Sequence, residues 1–425
     1  MDSAARRKAK KSATRVLTTV GEVLDGGTLI ELVAGRCAGA DDLDLLLWDG
    51  KQTKVAPQIK YKDTLYKPVQ LHKTIRQALR LPTGAVRYGS PKQLFGEIAG
   101  LFEHCLTRPE SALAAAWCIT TWLAEFWSSP PPLVITGCDM NQAVDFFRLL
   151  QAICRHAFVL TDISRASIRN LPMDLRPTLL VNQPDISRKI RNFWKTSNYR
   201  GIFVPGNGGA LLDVACSKAL YLSVEGPPDT WCDGSLHVAL PPALRESPLL
   251  SAHQLDEIAN RFQPRLLRFR LQHFRDAGKP RPGPSPLNLP ACIEENSDFV
   301  QAVKPLLQRQ QQDALARQGP DVRVAIIEVL WPLCHEISEI GVGQLTGLTN
   351  ALLRDRGEIL EFSAEEIGWR LRSLGIYRYR NATGMSLRFS REHTVLIHQA
   401  ARQFGLTLPP IEGCPDCNPP GPDAT

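Results

Sequence analysis

Hydrophobic and polar positions divide this chain of 425 residues into stretches with different periods. Apolar and polar residues alternate through 18–72, and the Asp49-Gly50 pair is typical of a hairpin turn, which predicts a small β-rich unit. Apolar residues then recur at helical spacing after Ser or Pro, which predicts helices over 90–106 and 109–127.

Between residues 131 and 240 short apolar runs alternate with amphipathic stretches. The pattern predicts strands at 132–136, 157–161, 177–182, 201–204 and 218–223, and helices at 140–155, 164–170 and 185–196. Buried strands that alternate with helices predict a parallel sheet with helices on both faces, so we assign the chain to the α/β class.

A helix over 252–274 and a Pro-rich linker lead to a compact C-terminal segment, 321–405. In this segment Ser363 and Glu366 have the spacing of a capping box at the start of a third helix. The stretch YRYRNATGMSLRFS then alternates and turns, as the hairpin of a winged helix does, before a final helix. We therefore predict a winged-helix domain at the C-terminus.

The predicted domain organisation follows from these changes in pattern. It comprises a disordered basic tail (1–17), a β-rich unit (18–90), an α/β core (91–275), a Pro-rich linker and helix (276–320), a winged-helix domain (321–405) and a disordered tail (406–425).

Composition is that of a globular protein, with 44% hydrophobic and 22% charged residues. No apolar run approaches the roughly 20 residues that span a bilayer. The basic N-terminus has no apolar signal segment, so we expect a cytoplasmic protein with no membrane partner. The net charge of +7 is compatible with a polyanionic partner without requiring one.

The order of the segments LVITG, LTDIS, LRPTLLVNQPD and SNYRGIFVPG resembles the ATPase core of phage- and plasmid-type primase–helicase proteins of the P-loop AAA+ class. The resemblance covers about 95–240, and a winged helix after the core also fits that group. It implies a role in mobile-element replication or defence. It also implies a phosphate-binding loop, G-x-x-x-x-G-K-[ST], after the first core strand.

The residues that this resemblance aligns with the nucleotide site lack the side chains that bind phosphate and Mg²⁺. The first glycine is Gly137, but the remaining positions carry Gln142, Ala143 and Val144, and the acidic pair of the family becomes Asn182 and Gln183. Without the lysine, the hydroxyl and the carboxylates, we predict no catalytic residues and no ATP or Mg²⁺ cofactor.

Two alternatives remain at this point: a strand–turn–helix that never bound nucleotide, and an NTPase that uses unorthodox residues. If the resemblance holds, Asn182 should lie at the tip of a strand next to the one that ends before Gly137.

The stretch from Trp369 to Arg391 contains six arginines and no acid: Arg370, Arg372, Arg378, Arg380, Arg388 and Arg391. Arginines on a wing suit phosphate contacts, so we predict that the protein binds DNA. A homo-oligomer is a further option, and the sequence indicates no small-molecule substrate. Residues 186–200 and 261–281 are also basic. The alternatives are a solvated arginine face and a protein-interaction scaffold that binds no DNA.

Cys414 and Cys417 have the spacing of a zinc knuckle, but a structural zinc needs four ligands and no second pair is close in sequence. We therefore predict no metal site and a disordered tail with two thiols.

Overall fold

The computed structural model describes residues 15–35, 43–137, 139–161, 163–183, 190, 193–194, 197–206, 209–223, 235–241, 250–277, 287, 291–296, 299–310, 322–356, 361–382 and 384–417. The chain forms two compact units, residues 1–307 and 308–425, each with its own hydrophobic core. None of the described helices is long and apolar enough to cross a membrane.

Seven short strands open the first unit: Arg15–Thr19 (β1), Gly21–Val23 (β2), Leu29–Ala34 (β3), Leu43–Trp48 (β4), Thr53–Ala56 (β5), Ile59–Tyr61 (β6) and Thr64–Pro68 (β7). They form a four-stranded sheet, β2-β3-β4-β5, and a three-stranded sheet, β1-β7-β6. The predicted turn joins β4 to β5, and the Asp49 carboxylate there accepts hydrogen bonds from the Lys51 and Gln52 N–H groups (2.8 and 2.7 Å). Strand β1 begins at Arg15, inside the segment predicted as a tail.

Three helices follow: Lys73–Ala78 (α1), Pro91–Phe102 (α2) and Arg108–Thr121 (α3). Helix α3 starts at a capping box in which the Thr107 hydroxyl donates to the Glu110 carboxylate (2.6 Å). All residues from Ser111 to Thr121 are buried, so α3 is a central helix of the core.

The strands that follow are Leu133–Thr136 (β8), Ala157–Leu160 (β9), Thr178–Val181 (β10), Phe203–Pro205 (β11), Leu211–Asp213 (β12), Lys218–Leu222 (β13) and Leu236–Ala239 (β14). Five of them form a parallel sheet in the order β14-β8-β13-β10-β9. Helices Met140–Ile153 (α4) and Arg165–Arg169 (α5) connect β8 to β9 and β9 to β10. Every residue of β8, β10 and β13 is buried, which confirms the predicted α/β class.

Strand assignment from sequence was wrong at two places in this region. Residues 201–204 do not extend the parallel sheet, because β11 pairs antiparallel with β12. Pro205 has no N–H to donate and Gly209 adopts a positive φ of 82°, which favours a short hairpin here. Strand β14, at the sheet edge, was not predicted. The helix predicted over 185–196 lies largely outside the described residues.

A long helix, Ala252–Ala277 (α6), packs against the core and precedes a short helix, Ala291–Glu294 (α7), and a π-helical turn, Phe299–Val303. Its Arg270 belongs to a buried ion cluster that also contains Glu31, Glu125 and Arg155. Arg270 contacts Glu31 and Glu125 at 2.7 Å, and Arg155 contacts them at 2.9 and 3.1 Å. The cluster therefore ties the N-terminal sheet to α6 and to the segments that directly follow α3 and α4.

Burial alone would raise the pKa of Glu31 and Glu125, since it disfavours the charged form. The neighbouring Arg270 and Arg155 outweigh this effect and hold the pKa of both carboxyls below the usual range. Both carboxylates of the buried ion cluster are therefore charged at neutral pH.

The second unit contains helices Val322–Glu336 (α8), Val342–Asp355 (α9), Ala364–Ser373 (α10) and Arg391–Gln403 (α11). Strands Glu339–Gly341 (β15), Tyr379–Asn381 (β16) and Gly384–Arg388 (β17) form an antiparallel sheet in the order β15-β17-β16. The predicted capping box is confirmed: the Ser363 N–H donates to Glu366 (2.9 Å) and the Glu366 N–H donates to the Ser363 hydroxyl (3.3 Å). Strand β15 was not predicted.

Candidate functional site

The turn after β8 is shaped by close packing. Gly137 has a φ of +153°, and a Cβ atom there would lie 3.0 Å from both the Leu240 Cβ and the Leu240 carbonyl oxygen. The Tyr221 hydroxyl donates a hydrogen bond to the Gly137 carbonyl (2.7 Å). The glycine is therefore required by its neighbours, whether or not a phosphate binds here.

The N-terminus of α4 is the place where a phosphate would meet backbone N–H groups. Here Asp139 is the N-cap, and its Oδ1 accepts hydrogen bonds from the N–H groups of Asn141 (2.8 Å) and Gln142 (3.3 Å). The carboxylate therefore uses the donors that a phosphate needs, and it places a negative charge at the same point.

The next residues of the aligned loop, 142–144, are buried or half-buried in the structure. Ala143 is fully buried in the core, and Val144 is half-buried. The buried Oε1 of Gln142 has no hydrogen-bond partner among the described residues. None of these three side chains offers a positive charge or a hydroxyl to a nucleotide.

Asn182 and Gln183 directly follow β10, at the carboxyl edge of the sheet where β8 also ends. The expectation that Asn182 lies on a strand next to β8 was wrong, because β13 pairs with both β8 and β10 and lies between them. Gln183 Oε1 accepts a hydrogen bond from the Ile163 N–H (2.9 Å). The two amides thus share an edge with Gly137, one strand further away than expected.

The buried Lys218 cannot replace the missing loop lysine. It starts β13, at the opposite end of that strand from Leu222, which pairs with Thr136. Its Nζ donates to Asn198 Oδ1 (2.6 Å) and to the Cys216 carbonyl (3.1 Å). Lys218 therefore stabilises the far edge of the sheet.

In the second unit, an open groove of about 870 Å³ lies between the starts of α9 and α10 and the β16–β17 hairpin. Residues 341–344 at the start of α9 form one wall. The second wall consists of Ala364 and Glu365 at the start of α10. The third wall consists of Arg378, Asn381, Met385 and Ser386. Glu339 also lines the groove, so its interior carries two carboxylates and one guanidinium.

The structure separates the six arginines of the acid-free run into two groups. Arg370 and Arg378 are half-buried, whereas the other four are exposed: Arg372, Arg380, Arg388 and Arg391. Arg370 lies over the Phe362 ring at 4.6 Å, and Arg388 lies over the Tyr379 ring at 5.0 Å. Arg372, Arg380 and Arg391 form no ion pair with any carboxylate of the described residues.

Arg378 packs on α10, and its guanidinium occupies the space that a Cβ atom at Gly368 would need. Alternation along a strand would place Arg378 and Arg380 on one exposed face and pack Tyr377 and Tyr379 on the other. Instead Tyr377 is 64% exposed. The hairpin turns Arg378 towards the helix.

Three arginines of the basic stretch 261–281 are paired with carboxylates of the first unit. Arg261 and Arg265 contact Glu97 at 2.7 and 2.6 Å, and their hydrogen bonds help to lower the pKa of Glu97 to about 2. Arg270 is in the buried ion cluster. Most of the stretch 186–200 lies outside the described residues.

The two cysteines of the predicted tail have neighbours that the sequence did not reveal. The structure describes the chain as far as Cys417, and it brings His335 and His398 to Cys414 and Cys417. The two histidines lie on α8 and α11. The available signal was the presence of His335 and His398 in the neighbouring predicted winged-helix domain, but His335 is 82 positions from Cys417, and this separation concealed it.

Comparison with known proteins adds little. No family model matches the chain, and no curated protein matches it significantly. Three solved structures of the NrS-1 C-terminal region, all described as apo, align with 84–85% of this chain and 96% of theirs. Their sequences are 11–12% identical to this one and the TM-scores are 0.36, 0.34 and 0.33. Scores this low establish no relationship.

Proposed function

We propose that the chain is a non-catalytic DNA-associated protein whose C-terminal unit contacts the nucleic-acid backbone. The observation that carries the proposal is that Arg372, Arg380 and Arg391 are exposed and form no ion pair with a carboxylate of the described residues. Unpaired guanidinium groups are well suited to phosphate oxygens. The order of helices and hairpin strands also fits a winged helix, which supports the same function.

The groove itself refines where the contacts should lie. Glu339 and Glu365 line it, and carboxylates repel phosphate. We therefore expect contacts to the DNA backbone at the exposed arginines of the second unit, outside the groove. This arrangement makes binding largely independent of DNA sequence.

The test is fluorescence anisotropy with labelled duplex DNA and the full chain over a range of salt concentrations. Replacing Arg372 and Arg380 by alanine should weaken binding and lower the slope of log K against log salt by about 0.9 per lost phosphate contact. The matched control is Arg354→Ala, an exposed arginine of the same unit that is paired with Glu361 (2.6 Å). Equal loss in the control and in the double variant would contradict the proposal.

The first unit, on this proposal, is a scaffold with no ATP turnover. The support is the Asp139 cap at the start of α4 and the missing lysine and carboxylates at the aligned positions. We expect no phosphate release and no ATP-dependent rise in thermal stability. ATP turnover that is lost on changing Gln142 or Asn182 would favour an NTPase with unorthodox residues.

A second function is favoured by one specific observation. Trp369 and Tyr377 are 61% and 64% exposed, and exposed aromatic residues are enriched at protein interfaces. They could join a second copy of the chain. Light scattering of the wild-type protein and of Trp369→Ala with Tyr377→Ala, without DNA, tests this function. A mass that stays monomeric at all concentrations would exclude self-association.

A further inference from the structure

Four side chains from three parts of the second unit meet at one point: His335 in the last turn of α8, His398 on α11, and Cys414 and Cys417 in the segment after α11. Cys417 Sγ lies 3.5 Å from His335 Nε2 and 3.1 Å from His398 Nε2. Cys414 Sγ lies 3.7 Å from His398 Nε2, and all four atoms are within 4.8 Å of one another.

These separations fit a tetrahedral metal ion. Zinc binds thiolate sulfur at about 2.3 Å and imidazole nitrogen at about 2.0–2.1 Å, so the edges of its tetrahedron measure roughly 3.3–3.8 Å. Two of the three measured sulfur–nitrogen separations lie in this range, and the third is 0.2 Å shorter than its lower limit. A small ion at the centre would therefore need only slight side-chain movement.

Both histidines are held in the tautomer that presents the Nε2 lone pair to a metal. The Nδ1 atom of His335 is 2.7 Å from the Trp331 carbonyl oxygen, and that of His398 is 2.7 Å from the Thr394 carbonyl oxygen. Since a carbonyl only accepts, each Nδ1 carries the proton and each Nε2 presents its lone pair to the sulfur atoms. The Trp331 ring packs 4.4 Å from the His398 ring and fixes its orientation.

The segment that carries the cysteines is fastened beside the histidines by other contacts. The Trp331 indole N–H donates to the Pro409 carbonyl (3.0 Å), and Arg402 donates to the Asp416 carbonyl (2.7 Å). Leu408 and Ile411 pack against the core of the second unit. These contacts deliver Cys414 and Cys417 to the histidines independently of any metal.

We propose that His335, His398, Cys414 and Cys417 form a structural zinc site that fastens the C-terminal segment to α8 and α11. Two thiolates and two imidazoles in a tetrahedral arrangement suit Zn²⁺. Four protein ligands leave no position for water or substrate, so the site is structural. Two thiolates also neutralise the charge of the ion.

The test begins with the full-length protein, purified under reducing conditions without chelator. Elemental analysis should find close to one zinc per chain. Cobalt added to the metal-free protein should give the visible d–d absorption of a tetrahedral site and the charge-transfer band of thiolate ligands. This measurement uses the wild-type chain, so it does not depend on a variant that folds.

Cys417→Ser and His335→Gln each remove one ligand. The matched control is Cys292→Ser, which changes a partly buried cysteine of the first unit whose Sγ lies 3.8 Å from His273 Nδ1. We expect the ligand variants to lose zinc affinity by more than the roughly 10–100-fold that loss of a hydrogen bond to a ligand costs. The control should keep its zinc.

Three results would overturn the proposal. The first is a reduced wild-type protein that takes up neither zinc nor cobalt. The second is a disulfide between Cys414 and Cys417 in freshly isolated protein, shown by mass spectrometry. The third is a Cys417→Ser variant that binds zinc as tightly as the control.

Discussion

Replacing Arg270 by methionine tests how far the buried ion cluster stabilises the first unit. The substitution removes one positive charge and keeps most of the side-chain volume. It leaves Glu31 and Glu125 to share Arg155, together with a weak contact from Arg176 to Glu125 at 3.7 Å. A net negative charge then remains in the protein interior.

The burial of the cluster sets the size of the effect. The side chains of Arg270, Glu31 and Glu125 are only 2%, 3% and 9% exposed, so solvent screens the charges little. Breaking a buried ion pair by removing one partner costs about 3–5 kcal/mol. At about 2–4 °C per kcal/mol, the melting temperature should fall by at least about 6 °C.

The assay is chemical and thermal denaturation of the full chain, with Arg261→Met as control. Arg261 lies on the same helix and also contacts a glutamate, Glu97, but its side chain is 62% exposed. Exposed pairs contribute about 0–1 kcal/mol, so the control should lose little. Adding Glu31→Gln to Arg270→Met restores charge balance, and we expect the double variant to be more stable than Arg270→Met alone.

The pH dependence gives an independent check. In the wild type the pKa values of Glu31 and Glu125 are lowered on folding, so their contribution is complete above the unfolded pKa, near 4.5, and is lost as the pH falls further. Without Arg270, burial should raise these pKa values, and the penalty of the variant should shrink in acid. Equal losses for Arg270→Met and Arg261→Met would refute the reasoning.

Three further predictions concern single positions. Gly137→Ala should lower the free energy of unfolding by about 1–3 kcal/mol in urea denaturation, because it combines a positive φ with a clash against Leu240. Burial lowers the pKa of His156 from 6.5 to about 3, so below pH 6.5 the unfolded chain takes up a proton that the folded one does not. Stability should fall between pH 6.5 and 3 by up to about 1.4 kcal/mol per pH unit, and His156→Gln should flatten this slope. Gly368→Ala should displace Arg378 towards the groove and strengthen salt-dependent DNA binding, while thermal unfolding shows stability unchanged or raised by up to about 1 kcal/mol.

Local signals in the sequence were sufficient for much of the fold. The strands β8, β10 and β13 are short apolar runs buried on both faces, and such runs can be read directly. The capping box of Ser363 and Glu366 is equally local. Prediction failed where the partner strand decides the structure, as for β11, which pairs with β12 although its own sequence resembles a core strand.

The candidate sites are formed by packing between segments that are distant in sequence. Such packing cannot be predicted from the residue pattern of a single sequence. His335 and Cys417 are 82 positions apart, and only the packing of α8, α11 and the last segment brings them together. The spacing of Cys414 and Cys417 was visible from the start. The sequence alone did not show which two further residues would lie beside these cysteines in the folded protein.

The arginines show the same limit most clearly, because two basic stretches of similar appearance have opposite outcomes. On α6, carboxylates from other segments reach the arginines: Glu97 contacts Arg261 and Arg265, and Glu31 and Glu125 surround Arg270. Around the β16–β17 hairpin, no described carboxylate forms an ion pair with the three exposed arginines of the proposed interface. The number of basic residues in the sequence favours DNA binding equally for both stretches. Only the positions of the acids distinguish a neutralised structural helix from a surface that has charge available for DNA.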